Sequence, residues 1–277
     1  MRRLDALLGG ESATAALAHA WSGAARRARV GAGRAIDLIL PPLALDDGER
    51  PQSPGLTARS WERIAFIDGP LCDGCGAPYP YDVGAGVLCP ACSVGVRLIS
   101  RTRAACLYDE HSRDLILKLK HADRTDLAPL FARWLSRAAA ELIEHADLVC
   151  PVPLHRRRLL ARRYNQAAEI ARPLARFARS KTGAKVTYAP DLLVRARATP
   201  TQGGKSGRGR RENVRNAFAV PKGAVAKVAG KRVLLIDDVL TTGATAEACA
   251  RALLRAGAAA VDLAVVARVR ETGTDPI

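Results

Sequence analysis

Residues 233–245 read VLLIDDVLTTGAT, and few folds accommodate four consecutive large apolar residues that end in two adjacent carboxylates. A short continuous apolar run rich in β-branched residues is the pattern of a strand buried on both faces, as strands of parallel sheets are. Such a sheet needs helices on both sides, so the surrounding chain should alternate strand and helix in a mostly parallel α/β fold. Asp237 and Asp238 then fall at the carboxyl end of the strand, the edge at which open α/β sheets take their ligands. Thr241, Thr242, Gly243, Ala244 and Thr245 form the following turn, with a helix expected to start near Thr245. Gly243 reaches backbone angles closed to other residues, so several amide N–H groups converge on one anion, and the helix N-terminus adds its dipole. Ionised carboxylates only accept hydrogen bonds, and two side by side suit the vicinal hydroxyls of a sugar. The alternative is a surface turn with an incidental acid pair; the order strand, acids, Thr/Gly turn and helix favours a cradle for a ribose phosphate.

These residues resemble the phosphoribosyl-diphosphate (PRPP) loop of type I phosphoribosyltransferases. Three segments lead up to it: VCPVPLHRRRLLARRYNQA (149–167), LLVRARATPTQ (192–202) and RENVRNAF (211–218). In this order they are similar to the ComF/GntX family of competence-associated, phosphoribosyltransferase-like proteins. The resemblance covers about residues 71–269, with an echo back to Ile36. It implies a type I phosphoribosyltransferase fold behind an N-terminal zinc ribbon, PRPP or a related phosphoribosyl ligand bound with magnesium, and a link to DNA uptake with partners in the competence machinery. By the same resemblance Pro153 faces the diphosphate, with Arg156 and Arg157 beside it. Arg195 and Arg197 join Asp237 and Asp238 as catalytic candidates, and the Gly-rich 203–210 segment becomes a lid that closes over PRPP. Arg163-Tyr164-Asn165-Gln166 stands where the family carries Gly-Phe-Asn-Gln, so Arg163 and Tyr164 depart from the pattern; helix capping is the plain alternative for Asn165 and Gln166.

Cys72-x-x-Cys75 and Cys89-x-x-Cys92 are separated by 13 residues. Two thiolates two residues apart grip one metal from a tight turn, and a second such turn completes a tetrahedron that favours structural zinc. Paired disulfides are the rival reading, which a cytoplasmic chain disfavours. Cys106, Cys150 and Cys249 lie in apolar strand or helix contexts and are expected as buried thiols. Family members carry an earlier pair of knuckles, but Ala44, Asp47, Thr57 and Ser60 stand at the corresponding positions. The expected organisation is a helical lead and degenerate, metal-free ribbon over 1–70, a zinc ribbon over 71–100 and a phosphoribosyltransferase-like domain over 101–277.

The net charge of +16 is concentrated: residues 151–222 hold 18 Lys/Arg against three acids. A solvated basic face, a polyphosphate ligand and a nucleic-acid backbone are all consistent with that clustering. Aromatic residues are only 4%, so base stacking should not dominate any contact with single-stranded DNA. No apolar run is long enough for membrane insertion. The Ala-rich start is interrupted by Asp5, Glu11 and His19, which argues against a secretory signal and for a cytoplasmic protein. Two functions are therefore carried forward: a PRPP-binding phosphoribosyltransferase, and a non-catalytic single-stranded DNA-binding competence factor using the fold as scaffold or sensor.

Overall fold

The computed structural model of the chain describes residues 55–121, 124–155, 159, 162–182, 186–196 and 216–270. The chain divides into two compact units, Met1–Thr57 and Ala58–Ile277. The expected helical lead, with Ala44 and Asp47 of the expected degenerate ribbon, lies outside the described residues.

The second unit runs in the order α1 (Ala58–Glu62), α2 (Pro90–Ser93), β1 (Thr102–Leu107), α3 (Glu110–His121), α4 (Ala128–Ala138), α5 (Ala140–His145), β2 (Leu148–Pro151), α6 (Gln166–Thr182), β3 (Thr187–Tyr188), β4 (Val194–Arg195), β5 (Phe218–Ala219), α7 (Val225–Val228), β6 (Arg232–Leu240), α8 (Ala244–Arg255) and β7 (Ala260–Arg268). Five strands form one parallel sheet in the order β1-β7-β6-β2-β3, while β4 and β5 pair antiparallel apart from it. No helix among the described residues is long and apolar enough to cross a membrane.

The apolar run of β6 is the middle of this sheet. Val233, Leu234, Leu235 and Ile236 are fully buried, with β2 paired along one side and β7 along the other. Val233 and Leu235 share an apolar cluster with Leu263 of β7 and with Cys249 and Leu253 of α8. Leu234 and Ile236 alternate to the opposite face, where α4 and α6 pack against each other and against the sheet. Both faces are thus covered, as a run without polar alternation requires.

Chain direction reverses between β2 and β6. From β2 the chain crosses through α6 to β3 at one side, and from β6 it crosses through α8 to β7 at the other. Right-handed crossovers running in opposite directions put their helices on opposite faces, which leaves a crevice outside the carboxyl ends of β2 and β6.

Three local expectations are corrected. The apolar pattern over 127–143 suggests one helix, but Ala139 (φ −116°, ψ 26°) divides α4 from α5. Alanine propensity would carry the helix straight on; the bend instead takes Leu142 and Ile143 into the interior. Strand β6 continues three residues past Asp237, because β7 extends alongside and pairs Val239 with Ala267 and Leu240 with Arg268. Arg195, expected at the start of a basic, Gly-rich stretch over 195–211, is the end of β4, held by pairing with Phe218.

The cysteine module is clamped to the sheet by ions. Arg103 of β1 is 6% exposed, donates from Nε to Glu141 of α5 (2.5 Å), and reaches the Asp73 carboxylate at 3.1 Å. Arg101 pairs with the same two acids, and Arg103 also donates to the Asp73 carbonyl (3.1 Å). Removing one member of such a cluster strands the charges left behind. Arg103→Ala is expected to lower the unfolding free energy of the full chain by about 2–4 kcal/mol in urea titration; a loss within the scatter of exposed Arg→Ala changes would contradict the clamp.

Candidate functional site

Outside the ends of β2 and β6 lies a cleft of about 310 Å³. Asp237 and Asp238 enter it from β6, Pro153 from the loop after β2, Lys120 from α3 and Arg195 from β4, with Thr241 and Thr245 on the turn above. Asp238 accepts an ion pair from Lys120 Nζ at 3.1 Å, both side chains being largely buried. The Asp238 backbone N–H donates to Asp237 Oδ1 at 2.9 Å. The Arg195 guanidinium sits 5.3 Å from the centroid of the Phe218 ring, so the strand pair that brings Arg195 to the cleft also supports it from below.

The turn has the expected shape. Gly243 adopts φ 72°, ψ −6°, and α8 starts at Ala244, one residue earlier than expected. No side chain caps this helix, so its leading N–H groups face the small cavity of about 40 Å³ lined by Thr241, Thr242, Gly243, Ala244 and Thr245. All the proposed turn residues are therefore brought together with Asp237, which lines the same cavity. Arg156, Arg157 and Arg197 lie outside the described residues, as does the expected lid.

Within the Arg163–Gln166 segment Asn165 and Gln166 line the cleft, and the segment also positions its neighbours. Asn165 donates to the Val152 carbonyl (3.0 Å) and accepts from the Ala167 N–H (3.1 Å), so it caps α6 and ties that helix to the loop carrying Pro153. Arg163 has φ 64°, a left-handed conformation that costs a residue with a Cβ about 1 kcal/mol; glycine, the family's residue there, would avoid this. The Tyr164 hydroxyl donates to the Leu119 carbonyl, next to Lys120. Lys120, Tyr108 and Arg162 line the cleft without having been expected there. Nothing in the local pattern around Lys120 marks it, since its role depends on α3 ending opposite β6. Asn165 and Gln166 did carry a signal, in the motif that also starts α6.

Burial pushes the Asp237 carboxyl up, and the charge of Asp238 pushes it further; the Asp238 amide, Lys120 and Arg195 pull the other way, leaving it at about 7. The folded protein thus holds this proton more tightly than the unfolded chain, and stability falls as pH rises from about 4 to about 7. Asp237→Asn removes that penalty. Relative to the parent, the variant should gain about 1–3 kcal/mol between pH 4 and pH 8, allowing for solvent that reaches the cleft. Parallel urea titrations at the two pH values check it, and a difference independent of pH would refute the assignment.

The four cysteines converge as their spacing requires. The Sγ atoms of Cys72, Cys75, Cys89 and Cys92 all lie within 4.8 Å of one another. The Cys75–Cys89 separation of 3.7 Å matches the roughly 3.8 Å edge of a tetrahedron with zinc–sulfur bonds of about 2.3 Å. Although burial raises it, the Cys72 thiol is brought down to about 6 by hydrogen bonds from the Cys89, Cys75 and Gly74 backbone, while burial pushes Cys92 up. Gly76 follows the first knuckle at φ 66°, and a Cβ there would meet the Thr102 carbonyl oxygen at 2.4 Å. The donor set and its spacing fit a structural tetrahedral metal. Cys106 and Cys150 are different: burial pushes both thiols up to about 12, which leaves them protonated and poor nucleophiles.

Residues 167–276 match the family described as phosphoribosyl transferase domain. The chain is 30% identical over 206 residues to DNA utilization protein YhgH of Escherichia coli (strain K12), covering 73% of this chain and 85% of that protein. It is 28% identical over 223 residues to competence protein F of Haemophilus influenzae, covering 72% and 90%. Among solved structures it is similar to a glutamine phosphoribosylpyrophosphate (PRPP) amidotransferase from B. subtilis complexed with ADP and GMP, at 22% identity and a TM-score of 0.33, over 51% of this chain. The chain spans about a quarter of that enzyme's length (26%). With a parallel α/β domain of phosphoribosyltransferase type, a four-cysteine cluster ahead of it and relatives named for competence and DNA utilization, the chain belongs to the ComF/GntX family.

Proposed function

We propose that this protein binds PRPP, or a closely related phosphoribosyl ligand, in the cleft at the ends of β2 and β6 and acts in the handling of incoming DNA. The observation that carries the reading is a paired carboxylate in the cleft and an uncapped helix start behind a left-handed Gly243 in the small cavity beside it, the two spaces sharing Asp237, Thr241 and Thr245. Asp237 and Asp238 accept hydrogen bonds from the two ribose hydroxyls. The N–H groups of the turn take the 5′-phosphate, with the hydroxyls of Thr241, Thr242 and Thr245 beside them. Lys120 pairs with Asp238 and orients it, and Arg195 offers positive charge toward the diphosphate. Magnesium bound with the ligand would neutralise diphosphate oxygens. Should transfer occur, the C1–O bond to diphosphate breaks as a nucleophile bonds to C1, and the two carboxylates stabilise the positive charge that develops on the ring.

Zinc is the metal this reading assigns to Cys72, Cys75, Cys89 and Cys92. All four coordination positions are filled by sulfur, so its role is to hold the module and not to activate water. The reading also places the protein in the cytoplasm, where reduced thiols persist.

A non-catalytic, single-stranded DNA-binding role is favoured by one observation, the 18 Lys/Arg against three acids over 151–222, together with relatives named for DNA utilization and competence. Salt separates the two readings, because contacts to a phosphate backbone weaken steeply with ionic strength.

Calorimetric titration with PRPP and magnesium at fixed ionic strength should give saturable binding that the double variant Asp237→Ala/Asp238→Ala loses by about a hundredfold or more. Retained affinity would sink the cradle assignment. If instead single-stranded DNA binds with a steep salt slope and PRPP does not bind at all, the DNA-binding reading takes its place. Metal analysis of protein prepared without chelator should find about one zinc per chain. Cys72→Ser should release it and loosen the module; two zinc ions per chain, or none, would contradict the assignment.

A further inference from the structure

Behind the Thr241–Gly243 turn lies a second and larger cleft, of about 590 Å³, whose far wall is the four-cysteine module. It is separate from the cleft of Asp237 and Asp238, although Thr241 lines both. Its apolar surface comes from Leu98, Ile99, Leu240 and Leu263. Its charges are Arg97, Arg251 and Arg268 against a single carboxylate, Glu247.

The three guanidiniums are not equivalent. Arg268 is buried and donates to the Cys75 carbonyl at 2.8 Å. Arg97 folds over Gly74: a Cβ at that position would lie 1.6 Å from its Nη1 and 3.2 Å from Cys92 Sγ. These two stand nearest the four thiols, and they offset the negative charge of a thiolate centre. Arg251 is left over. It stands one turn after Glu247 on α8, yet the two form no ion pair among the described residues, and its Nε is buried without a hydrogen-bond acceptor. Arg251 lines the cleft together with Thr241 and Thr242 of the turn.

The geometry points to a second ligand site in this cleft, for a phosphate-bearing molecule with a planar apolar part: a nucleoside monophosphate, either free or as the end of a DNA strand. Arg251 takes the phosphate oxygens. The base lies on the surface of Leu98, Ile99, Leu240 and Leu263. The volume falls in the range of about 300–1,000 Å³ usual for small-ligand sites, and an arginine whose Nε has no acceptor among the described residues, beside apolar walls, suits an anion that brings its own apolar surface.

The test is calorimetric titration of the full chain with dAMP and with a 5′-phosphorylated oligo(dA), without PRPP or magnesium and at moderate salt to suppress diffuse binding. Saturable binding at one site per chain is expected. Arg251→Met, which keeps the packed stem, should weaken it about tenfold and Arg251→Glu should abolish it. Arg255→Met, an exposed change on the same helix, controls for net charge and should leave it intact. Asp237→Asn/Asp238→Asn should also leave it intact, whatever becomes of PRPP binding, so the two clefts are judged separately. Equal affinity for dAMP and the oligomer assigns a free nucleotide, whereas tighter oligomer binding that still depends on Arg251 assigns a strand end. The site is overturned if the parent binds neither probe, if Arg251→Met and Arg251→Glu bind as the parent does, or if Arg255→Met or the Asp pair variant loses binding equally.

Discussion

Two neighbouring carboxylates at the rim of a buried strand repel each other and resist leaving water, and much of what surrounds β6 offsets that cost. Lys120 comes from α3 to pair with Asp238, and α3 is held there through the Tyr164 hydroxyl on the Leu119 carbonyl. The next residue, Asn165, fixes the Val152 carbonyl at the end of β2. Arg195 approaches from a separate strand pair and rests on Phe218. Elements far apart in the chain are thus drawn to one rim by the charge on Asp237 and Asp238. Burial, and after it the charge of Asp238, still leaves the Asp237 carboxyl raised.

What the sequence revealed, and what it hid, follow one physical division. Features set by neighbours along the chain were legible: the buried strand from its unbroken apolar run, the turn from Gly243, and the metal cluster from two knuckles. Features set by contact across the chain were not. Lys120 looks like any helix-end lysine until α3 is docked. The bend at Ala139 runs against the helical preference of its own residues and exists because Leu142 and Ile143 find the interior that way. Strand β4 is two residues long and is defined only by its partner Phe218, more than twenty residues further on. Within the motif 163–166, spacing located the helix start, while the left-handed backbone of Arg163 is visible only in the fold.

The seven cysteines separate into two chemical classes. Those of the module converge on one another, and Cys72 receives amide N–H donors that favour its thiolate. Those of the core are buried, and burial favours the thiol. Metal affinity and chemical inertness are therefore assigned to different thiols, by backbone hydrogen bonds at Cys72 and by burial in the core. The module is also wired to the sheet, because Asp73 lies between two of its cysteines and is gripped by Arg101 and Arg103.

The order of the sheet carries a consequence for how the protein is made. Among the named strands of the described residues β1 pairs with β7, and Cys106 donates to the carbonyl of Val266, 160 residues further along. While the chain emerges from the ribosome, β1 and the module clamped to it must therefore wait, their pairing edge open, until β6 and α8 have been synthesised and β7 follows. A closure this distant in sequence is entropically late. The module can gather its four thiols early and locally, so a metal captured there would keep the waiting segment compact until its strand arrives.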